Sequence, residues 1–230
     1  MNVFNLKENC FFTGRAATAI YLILKAENID GKKVLFPANI CYAAIYPALY
    51  AGCFPVFCDV SEKDGNVTYE EVCAYIDSVS AIVLPHMYGN PVQDTEKIRR
   101  LCTERSVLLI EDCASSMGTF LPEGMCGSFG DYSVFSTGYS KTVDIGNGGF
   151  LLTDRSVDTL RDIYGCLPVW NRQIEENDAF FSRLYRLIRN NREQNLACYV
   201  WEGLRNHMRD VFLYQYPGID VKIQSAVSEL

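Results

Sequence analysis

A lysine follows a strand-like segment and a turn of small residues. Tyr132–Ser136 predicts a strand, the turn leads to Lys141, and a glycine-rich segment, 146–149, leads into another strand. Small, closely packed neighbours would remove water from the lysine amine, and loss of water lowers the pKa of an ammonium group. A neutral amine is the nucleophile that forms a Schiff base with a carbonyl compound. Lys141 is therefore a candidate nucleophile.

Two carboxylates, Glu111 and Asp112, end the apolar segment Val107–Ile110. In open α/β sheets, ligands bind beyond the carboxyl ends of the strands. A carboxylate at that place is solvated, is paired with a cation, or accepts a hydrogen bond from a protonated ligand nitrogen. For Glu111 we expect an ordinary salt bridge or a helix cap. For Asp112, the lysine downstream favours the ligand nitrogen.

The sequence Thr13-Gly14-Arg15-Ala16 begins a helical stretch. A glycine lets another backbone approach closely, and the free N–H groups at a helix start bind phosphate. Taken alone, this pattern favours an ordinary helix start, because Thr and Gly precede many helices.

Alternating strands and helices position these groups. Apolar segments without polar alternation, such as Ala81–Leu84, are typical of strands covered on both faces. Thr68 and Glu71 predict a capping box at a helix start. The predicted strands are Lys33–Phe36, Pro55–Asp59, Ala81–Pro85, Val107–Glu111, Tyr132–Ser136 and Gly149–Thr153. The predicted helices are Ala16–Ala26, Ala43–Ala51, Tyr69–Ser78, Asp94–Glu104 and Ser156–Tyr164. This order predicts a three-layer α/β domain with a mostly parallel central sheet over residues 1–165.

Residues 166–230 are expected to form a helical extension. Asn171–Asn191 and Glu193–Phe212 predict two helices, and a further helix begins near Asp220. No further strand is predicted in this part of the chain.

The composition excludes several classes of protein. Apolar residues make up 49% and aromatic residues 13% of the 230 residues, which is enough for a core and argues against disorder. The net charge of −7 argues against nucleic acid or an anionic membrane as a partner. No apolar run is long enough to span a bilayer and no signal peptide is visible, so we expect a cytoplasmic protein.

The ten cysteines and two histidines form no metal-binding pattern. No cysteine pair has Cys-x-x-Cys spacing, and His86 and His207 are far apart in the chain, so we expect no metal site. A disulfide scaffold is a poor fit to a chain that can form a core. Most of the cysteines are expected to be small buried apolar groups.

A set of motifs occurs in a recognisable order along residues 10–165. The motifs are Thr13-Gly14-Arg15-Ala16, Pro55-Val56-Phe57-Cys58-Asp59, Pro85-His86-Met87-Tyr88-Gly89-Asn90-Pro91, Glu111-Asp112-Cys113-Ala114, Gly127-Ser128-Phe129-Gly130-Asp131, Phe135-Ser136, Lys141 and Gly146-Asn147-Gly148-Gly149. Together they resemble the DegT/DnrJ/EryC1/StrS family, which consists mainly of pyridoxal 5′-phosphate-dependent sugar aminotransferases of fold type I. The resemblance implies the cofactor-binding large domain for residues 1–165. It implies the start of a small domain, cut short, for residues 166–230.

The resemblance also implies a role for each site residue. Lys141 would form the Schiff base with the cofactor and later move a proton. Asp112 would pair with the pyridinium nitrogen, which keeps the ring able to accept electrons. The cofactor phosphate would be held by Ser136 and by the N–H groups of Gly14, Arg15 and Ala16.

Two positions depart from the family pattern. Ser115 stands where the family has Gln or His, and its hydroxyl would face the phenolic oxygen of the cofactor. Cys41 stands where the family places an aromatic ring against the cofactor, and Tyr42 is next to it. Both are candidates for this contact, while Tyr42 is equally consistent with a core residue.

The resemblance implies transfer of an amino group, typically from glutamate, to a keto sugar nucleotide by a homodimer. The presence of Lys141 favours the aminotransferases over the dehydratase branch of the family, which lacks the lysine. Two alternatives stay open. The chain could bind the cofactor without turnover, as a partner protein or one half of a split enzyme, or it could be a plain α/β scaffold.

Overall fold

The structure is a computed structural model that describes residues 2–190 and 209–228, with the backbone alone for residues 185–190. The strands are β1 (Asn9–Thr13), β2 (Lys33–Pro37), β3 (Phe54–Cys58), β4 (Ala81–Pro85), β5 (Leu108–Asp112), β6 (Phe120–Leu121), β7 (Gly124–Met125), β8 (Tyr132–Ser136) and β9 (Gly149–Thr153). The helices are α1 (Ala16–Ala26), α2 (Tyr42–Tyr50), α3 (Tyr69–Tyr75), α4 (Thr95–Arg105), α5 (Asp158–Gly165), α6 (Arg172–Asn190) and α7 (Ile219–Ser228).

Within the described residues, seven strands form one sheet in the order β1-β9-β8-β5-β4-β2-β3. Every neighbouring pair from β8 to β3 is parallel, whereas β9 runs antiparallel to both β8 and β1. The predicted mostly parallel sheet is confirmed. β3 lies at the end of this order and contains Pro55.

The sheet is the middle of three layers, as predicted. Side chains alternate between the two faces of a strand, and in β4 Ala81 and Val83 join the core formed with α1 and α2. Ile82 and Leu84 join the opposite core, beneath α3 and α4. Since both faces of β4 are covered by helices, every residue of this strand is buried, which explains its unbroken apolar sequence.

Four of the five predicted helices of the α/β part agree with the structure within two residues at each end, and α1 agrees at both ends. The helix predicted for Tyr69–Ser78 begins as expected, but α3 ends at Tyr75 and a 3-10 turn continues to Ser78.

Of the two hydrogen bonds of the predicted capping box, one is present. The Thr68 hydroxyl accepts a hydrogen bond from the Glu71 N–H at 3.2 Å. The Glu71 carboxylate, however, accepts the N–H of Asp59 at 3.2 Å, so this glutamate fastens the start of α3 to the end of β3.

Two elements were not predicted. β1 is half-buried along most of its length and lies at one end of the sheet, so its sequence has neither the alternation nor the apolar run on which prediction depends. The hairpin of β6 and β7 has only two residues in each strand, which is too short for any periodic signal.

The helical extension packs back onto the α/β part. Phe181 and Phe212 join the core beneath α1, and Ile219 and Ile223 of α7 pack in the core that contains Phe150. Most of the helix predicted for Glu193–Phe212 lies outside the described residues. The described part of it, residues 209–212, is helical. The domain division at residue 165 stays a prediction.

None of the helices within residues 2–190 and 209–228 is long and apolar enough to cross a membrane.

Candidate active site

The predicted site residues lie at one edge of the sheet, where β1, β5 and β8 have their carboxyl ends. Gly149 begins the antiparallel strand β9 at this same edge, and it pairs with Thr13 on one side and with Ser136 on the other. Asp112 pairs with Val134 on the neighbouring strand β8. The topology therefore brings the phosphate-binding candidate Ser136 and the carboxylate Asp112 onto adjacent strand ends.

A cavity of about 480 Å³ opens at this edge. That size is within the range of small-molecule sites in proteins. Its floor is formed by the start of α1, the end of β8 and the loop that carries Lys141. The lining residues among the predicted set are Arg15, Ala16, Tyr42, Ser136 and Lys141.

The Lys141 amine contacts the residue that departs most from the family pattern. Its Nζ lies 3.2 Å from Ser115 Oγ, and Lys141 is half-buried rather than sealed from water. The preceding residue, Ser140, has a positive φ of 61°, and its N–H donates to Asp144 at 2.8 Å. This turn holds Lys141 at the cavity while leaving one side of it open to solvent.

Asp112 carries a carboxylate without a cationic partner among the described residues. Its Oδ1 accepts the N–H of Ala114 at 3.0 Å, and no Lys or Arg whose side chain the structure describes, in residues 2–184 and 209–228, is within ion-pair distance of it. Burial raises the pKa of Asp112, and the Ala114 N–H and the charge of Lys141 offset part of this rise. An incompletely paired carboxylate at a strand end is suited to a protonated ligand nitrogen.

The start of α1 is packed against the glycine-rich segment. A Cβ atom at position 149 would lie 2.4 Å from the Ala16 nitrogen, so only glycine permits this approach. The Gly148 N–H donates to the Gly14 carbonyl at 2.8 Å, and Gly148 has a positive φ of 92°. Gly14 itself does not line the cavity, whereas Arg15 and Ala16 do.

An aromatic wall closes one side of the cavity. The Tyr42 ring lies 6.2 Å from the Phe181 ring and 6.4 Å from the Phe212 ring, between centroids. Cys41 precedes α2 as an exposed residue and does not line the cavity. Of the two candidates for the ring contact, the structure brings Tyr42 to the site. Tyr42 also packs against the core beneath α1, as the core interpretation expected, and its contact with a cofactor ring stays a prediction.

Four lining residues come from the helical extension and were not identified from the sequence. They are Asp178, Phe181, Ser182 and Phe212. Their positions depend on how the extension folds back over the sheet edge, and no local pattern in the sequence carries that information.

The expectation for Glu111 holds in part, because its carboxylate lies at salt-bridge distance from the buried ring of His86, although it caps no helix in the described part of the chain. The carboxylate is fully buried and lies 2.9 Å from His86 Nε2. It also accepts hydrogen bonds from the N–H groups of Gly127 at 2.6 Å and of Phe129 and Gly130 at 3.0 Å. Glu111 therefore fixes the Gly127–Asp131 loop to the end of β5, next to Asp112.

The side chains of His86, Glu111 and Cys113 are close enough to resemble a metal site. Their hydrogen bonds favour a structural role instead. The Val92 N–H donates to His86 Nδ1 at 3.0 Å, so that nitrogen carries no proton and Nε2 is the donor to Glu111. Burial raises the pKa of Cys113 well above its ordinary value, which opposes the thiolate that a metal needs.

A comparison with protein families supplies the identity. The sequence model of the DegT/DnrJ/EryC1/StrS aminotransferase family matches residues 3–184. The chain belongs to this family.

Curated relatives of this DegT/DnrJ/EryC1/StrS chain include enzymes named for nucleotide sugars. A GDP-perosamine synthase of Vibrio cholerae is 32% identical over 184 residues, which are 79% of this chain and 48% of the relative. A UDP-N-acetyl-3-dehydro-alpha-D-glucosamine 3-aminotransferase of Acidithiobacillus ferrooxidans is 29% identical over 216 residues, which are 90% of this chain and 58% of the relative. The chain thus spans about half the length of the curated relatives it matches.

Solved structures share the DegT/DnrJ/EryC1/StrS fold. An aminotransferase from Psychrobacter cryohalolentis has a TM-score of 0.62 and 29% identity, over 67% of this chain and 39% of that one. The structure of DesI with its TDP-sugar product has a TM-score of 0.65 and 25% identity, over 70% of this chain and 42% of that one. The fold-type-I architecture expected from the motifs is confirmed.

Proposed function

We propose that this chain is a pyridoxal 5′-phosphate-dependent aminotransferase, a cytoplasmic homodimer that moves an amino group from glutamate to a keto sugar nucleotide. The observation that carries the proposal is an amine, Lys141, that lines a cavity beside the start of α1, together with a carboxylate without a cationic partner, Asp112, on the neighbouring strand end and close enough for the charge of Lys141 to lower its pKa. Packing alone does not require this pair.

The residues present fit the cofactor. Its phosphate would lie at Ser136 and at the backbone N–H groups of Arg15 and Ala16, which line the cavity together. Asp112 would hold the ring nitrogen, and the raised pKa of its carboxyl is consistent with a group that lacks a cation in the protein alone. Tyr42, which lines the cavity, is the proposed ring contact, and Cys41 is the weaker candidate.

Each side chain then has a definite task. Bound pyridoxal phosphate supplies an electron-accepting ring that stabilises negative charge on the substrate carbon. Lys141 Nζ takes up and returns the proton at that carbon. The Ser115 hydroxyl holds the Lys141 amine in place. The negative charge of Asp112 would keep the ring nitrogen of the cofactor protonated. A carboxylate and an amine on adjacent elements provide this arrangement without further groups from the sheet.

The substrate class is proposed from the relatives. One relative is named for a GDP sugar and another for a UDP sugar, so the shared chemistry is a keto sugar joined to a nucleoside diphosphate. Glutamate as donor and the homodimer are the family expectations of the sequence motifs.

Absorbance spectroscopy with added pyridoxal phosphate, borohydride reduction and peptide mass mapping test the proposal. We expect a yellow protein whose reduced cofactor is fixed to the peptide that contains Lys141. Lys141→Ala should abolish the fixed cofactor with unchanged circular dichroism, whereas Lys97→Ala, on the exposed face of α4, should behave as the wild type. Cofactor fixed to another lysine would overturn the assignment.

Turnover with glutamate and a keto sugar nucleotide separates the proposal from a protein that binds the cofactor silently. Formation of 2-oxoglutarate supports the aminotransferase. A cofactor fixed to Lys141 without any product would favour the silent binder.

A further inference from the structure

The helical extension forms a roof over the cavity. We use this name for the residues of α6 and of 209–216 that face the cavity or the start of α1. Asp178 and Phe181 line the cavity from α6, and Phe212 lines it from the other segment. Two further hydrogen bonds hold the roof. Thr18 Oγ1 of α1 donates to the Phe212 carbonyl at 2.8 Å, and the Tyr214 hydroxyl donates to the carbonyl of Gly14, which lies between β1 and α1, at 3.1 Å.

Arg15 is the charged contact between the floor and the roof. Its Nη1 donates to the Val211 carbonyl at 2.8 Å and lies 3.4 Å from Asp178 Oδ1. Its guanidinium carbon lies 5.7 Å from the centre of the Phe212 ring. The side chains of Arg15 and Asp178 are 31% and 33% exposed. Because solvent screens this ion pair, it contributes only modestly to stability and can be broken.

A phosphate at the start of α1 changes the balance of charge around this pair. Arg15 is the N-cap residue of α1, and it lines the same cavity as Ala16, whose N–H group would receive the phosphate, and as Asp178. A phosphate carries more charge than a carboxylate and binds a guanidinium in a bidentate manner. Asp178, on the same cavity wall, repels the phosphate and competes with it for Arg15.

We propose that the Arg15 side chain is a phosphate ligand held by Asp178 until the cofactor binds, so that the cofactor phosphate and the roof compete for one guanidinium. The inference rests on the proposed function and adds a group that opposes cofactor binding. Asp178 thereby couples occupation of the phosphate site to release of α6.

The test compares pyridoxal 5′-phosphate with pyridoxal, which lacks the phosphate, in titrations followed by absorbance. Asp178→Asn should bind pyridoxal phosphate about fivefold more tightly than the wild type and pyridoxal equally well. Arg15→Ala should bind pyridoxal phosphate about tenfold more weakly, with Arg15→Lys in between because it keeps the charge but loses the bidentate geometry. The gain from Asp178→Asn should fall by at least half when Arg15 is alanine.

The matched control is Glu176→Gln, which removes the same charge from the same helix at an exposed pair with Arg172. It should leave both affinities unchanged. The inference fails if Asp178→Asn does not tighten pyridoxal phosphate binding, if it tightens pyridoxal equally, or if Glu176→Gln has the same effect. If one of these results occurs while the cofactor is still fixed to Lys141, only the inference is contradicted. If the wild type binds no pyridoxal phosphate, the proposed function is contradicted as well.

Discussion

Lys141 Nζ lies 3.2 Å from the hydroxyl of Ser115, the residue that stands three positions after Asp112. The end of β5 therefore presents a carboxylate, and the turn after it presents a partner for the amine. Since Ser115 lies in the turn and outside β5, a substitution at Ser115 alters the contact with Lys141 without changing a residue of the strand.

Ser115→Ala removes the hydrogen bond of the amine. We expect cofactor affinity to fall about twofold to fivefold, as for one neutral hydrogen bond that water partly replaces. Absorbance titration with pyridoxal phosphate measures the change. Ser78→Ala, which removes a surface hydroxyl that donates to the Tyr75 carbonyl, should have no effect. An unchanged affinity in Ser115→Ala would show that this contact does not position the amine.

Asp112→Asn should have opposite effects on stability and on cofactor binding. Burial raises the pKa of Asp112, so the folded state binds the proton more tightly than the unfolded state does. The contribution of this group to stability is then greatest at low pH and declines as the pH rises through the folded pKa. Removal of the charge should stabilise the protein without cofactor by the order of 1 kcal/mol at pH 7.

The same variant should bind pyridoxal phosphate at least tenfold more weakly, because an amide does not hold a protonated ring nitrogen by charge. Urea unfolding and absorbance titration give the two values. Asp94→Asn, before α4, is the control for the loss of one negative charge. A variant that is less stable without cofactor would contradict the sign derived from burial.

Glu111→Gln should destabilise the fold by about 3 kcal/mol, the cost of breaking a buried charged network. Burial raises the pKa of Glu111, but the hydrogen bonds from His86 Nε2 and from the N–H groups of Gly127 and Gly130 outweigh it and hold the pKa below its ordinary value of 4.5. A lowered pKa means that the stabilisation is present above pH 4.5 and is lost as the pH falls below it.

Urea unfolding of the wild type and of Glu111→Gln at pH 7 and at pH 4 measures this effect. The difference in free energy of unfolding should narrow at pH 4. Glu123→Gln, at the exposed turn between β6 and β7, should match the wild type at both values. A constant difference would assign the loss to packing rather than to the charge.

Gly148→Ala and Gly146→Ala form a matched pair. Both positions have a positive φ, 92° and 83°, which costs an L residue about 1 kcal/mol. A Cβ at 148 would also lie 2.6 Å from Thr137 Oγ1 and 3.1 Å from Ile219 Cδ1, whereas one at 146 meets nothing within 4 Å. We expect Gly148→Ala to lower the free energy of unfolding by about 2 kcal/mol more than Gly146→Ala does. Urea unfolding measures both values. Equal losses would mean that the Thr137 side chain and α7 can both move away from the added methyl group.

Much of the α/β part could be predicted because its signals are local. Ala81–Pro85 and Tyr132–Ser136 match strands at both ends, since buried strands have unbroken apolar sequences. The residues at the strand ends, Asp112 and Ser136, follow from the same reasoning, because parallel strands place their carboxyl ends at one edge.

The contacts that complete the site could not be predicted. Asp178 meets Arg15 across 163 positions in the chain, and Phe212 meets Thr18 across 194. The role of Glu111 was also missed, because its partners are mainly backbone N–H groups, and backbone groups leave no mark in the amino-acid sequence.

Pro55 lies in β3, at the open end of the sheet. The Phe54 N–H donates inward to the Lys32 carbonyl at 2.8 Å, and N–H groups alternate between the two sides of a strand, so position 55 faces outward. Proline has no N–H to offer there. An incoming strand would lose a hydrogen bond near the start of this edge, so Pro55 disfavours the pairing of the sheet with another molecule although Phe54 and Phe57 are exposed beside it.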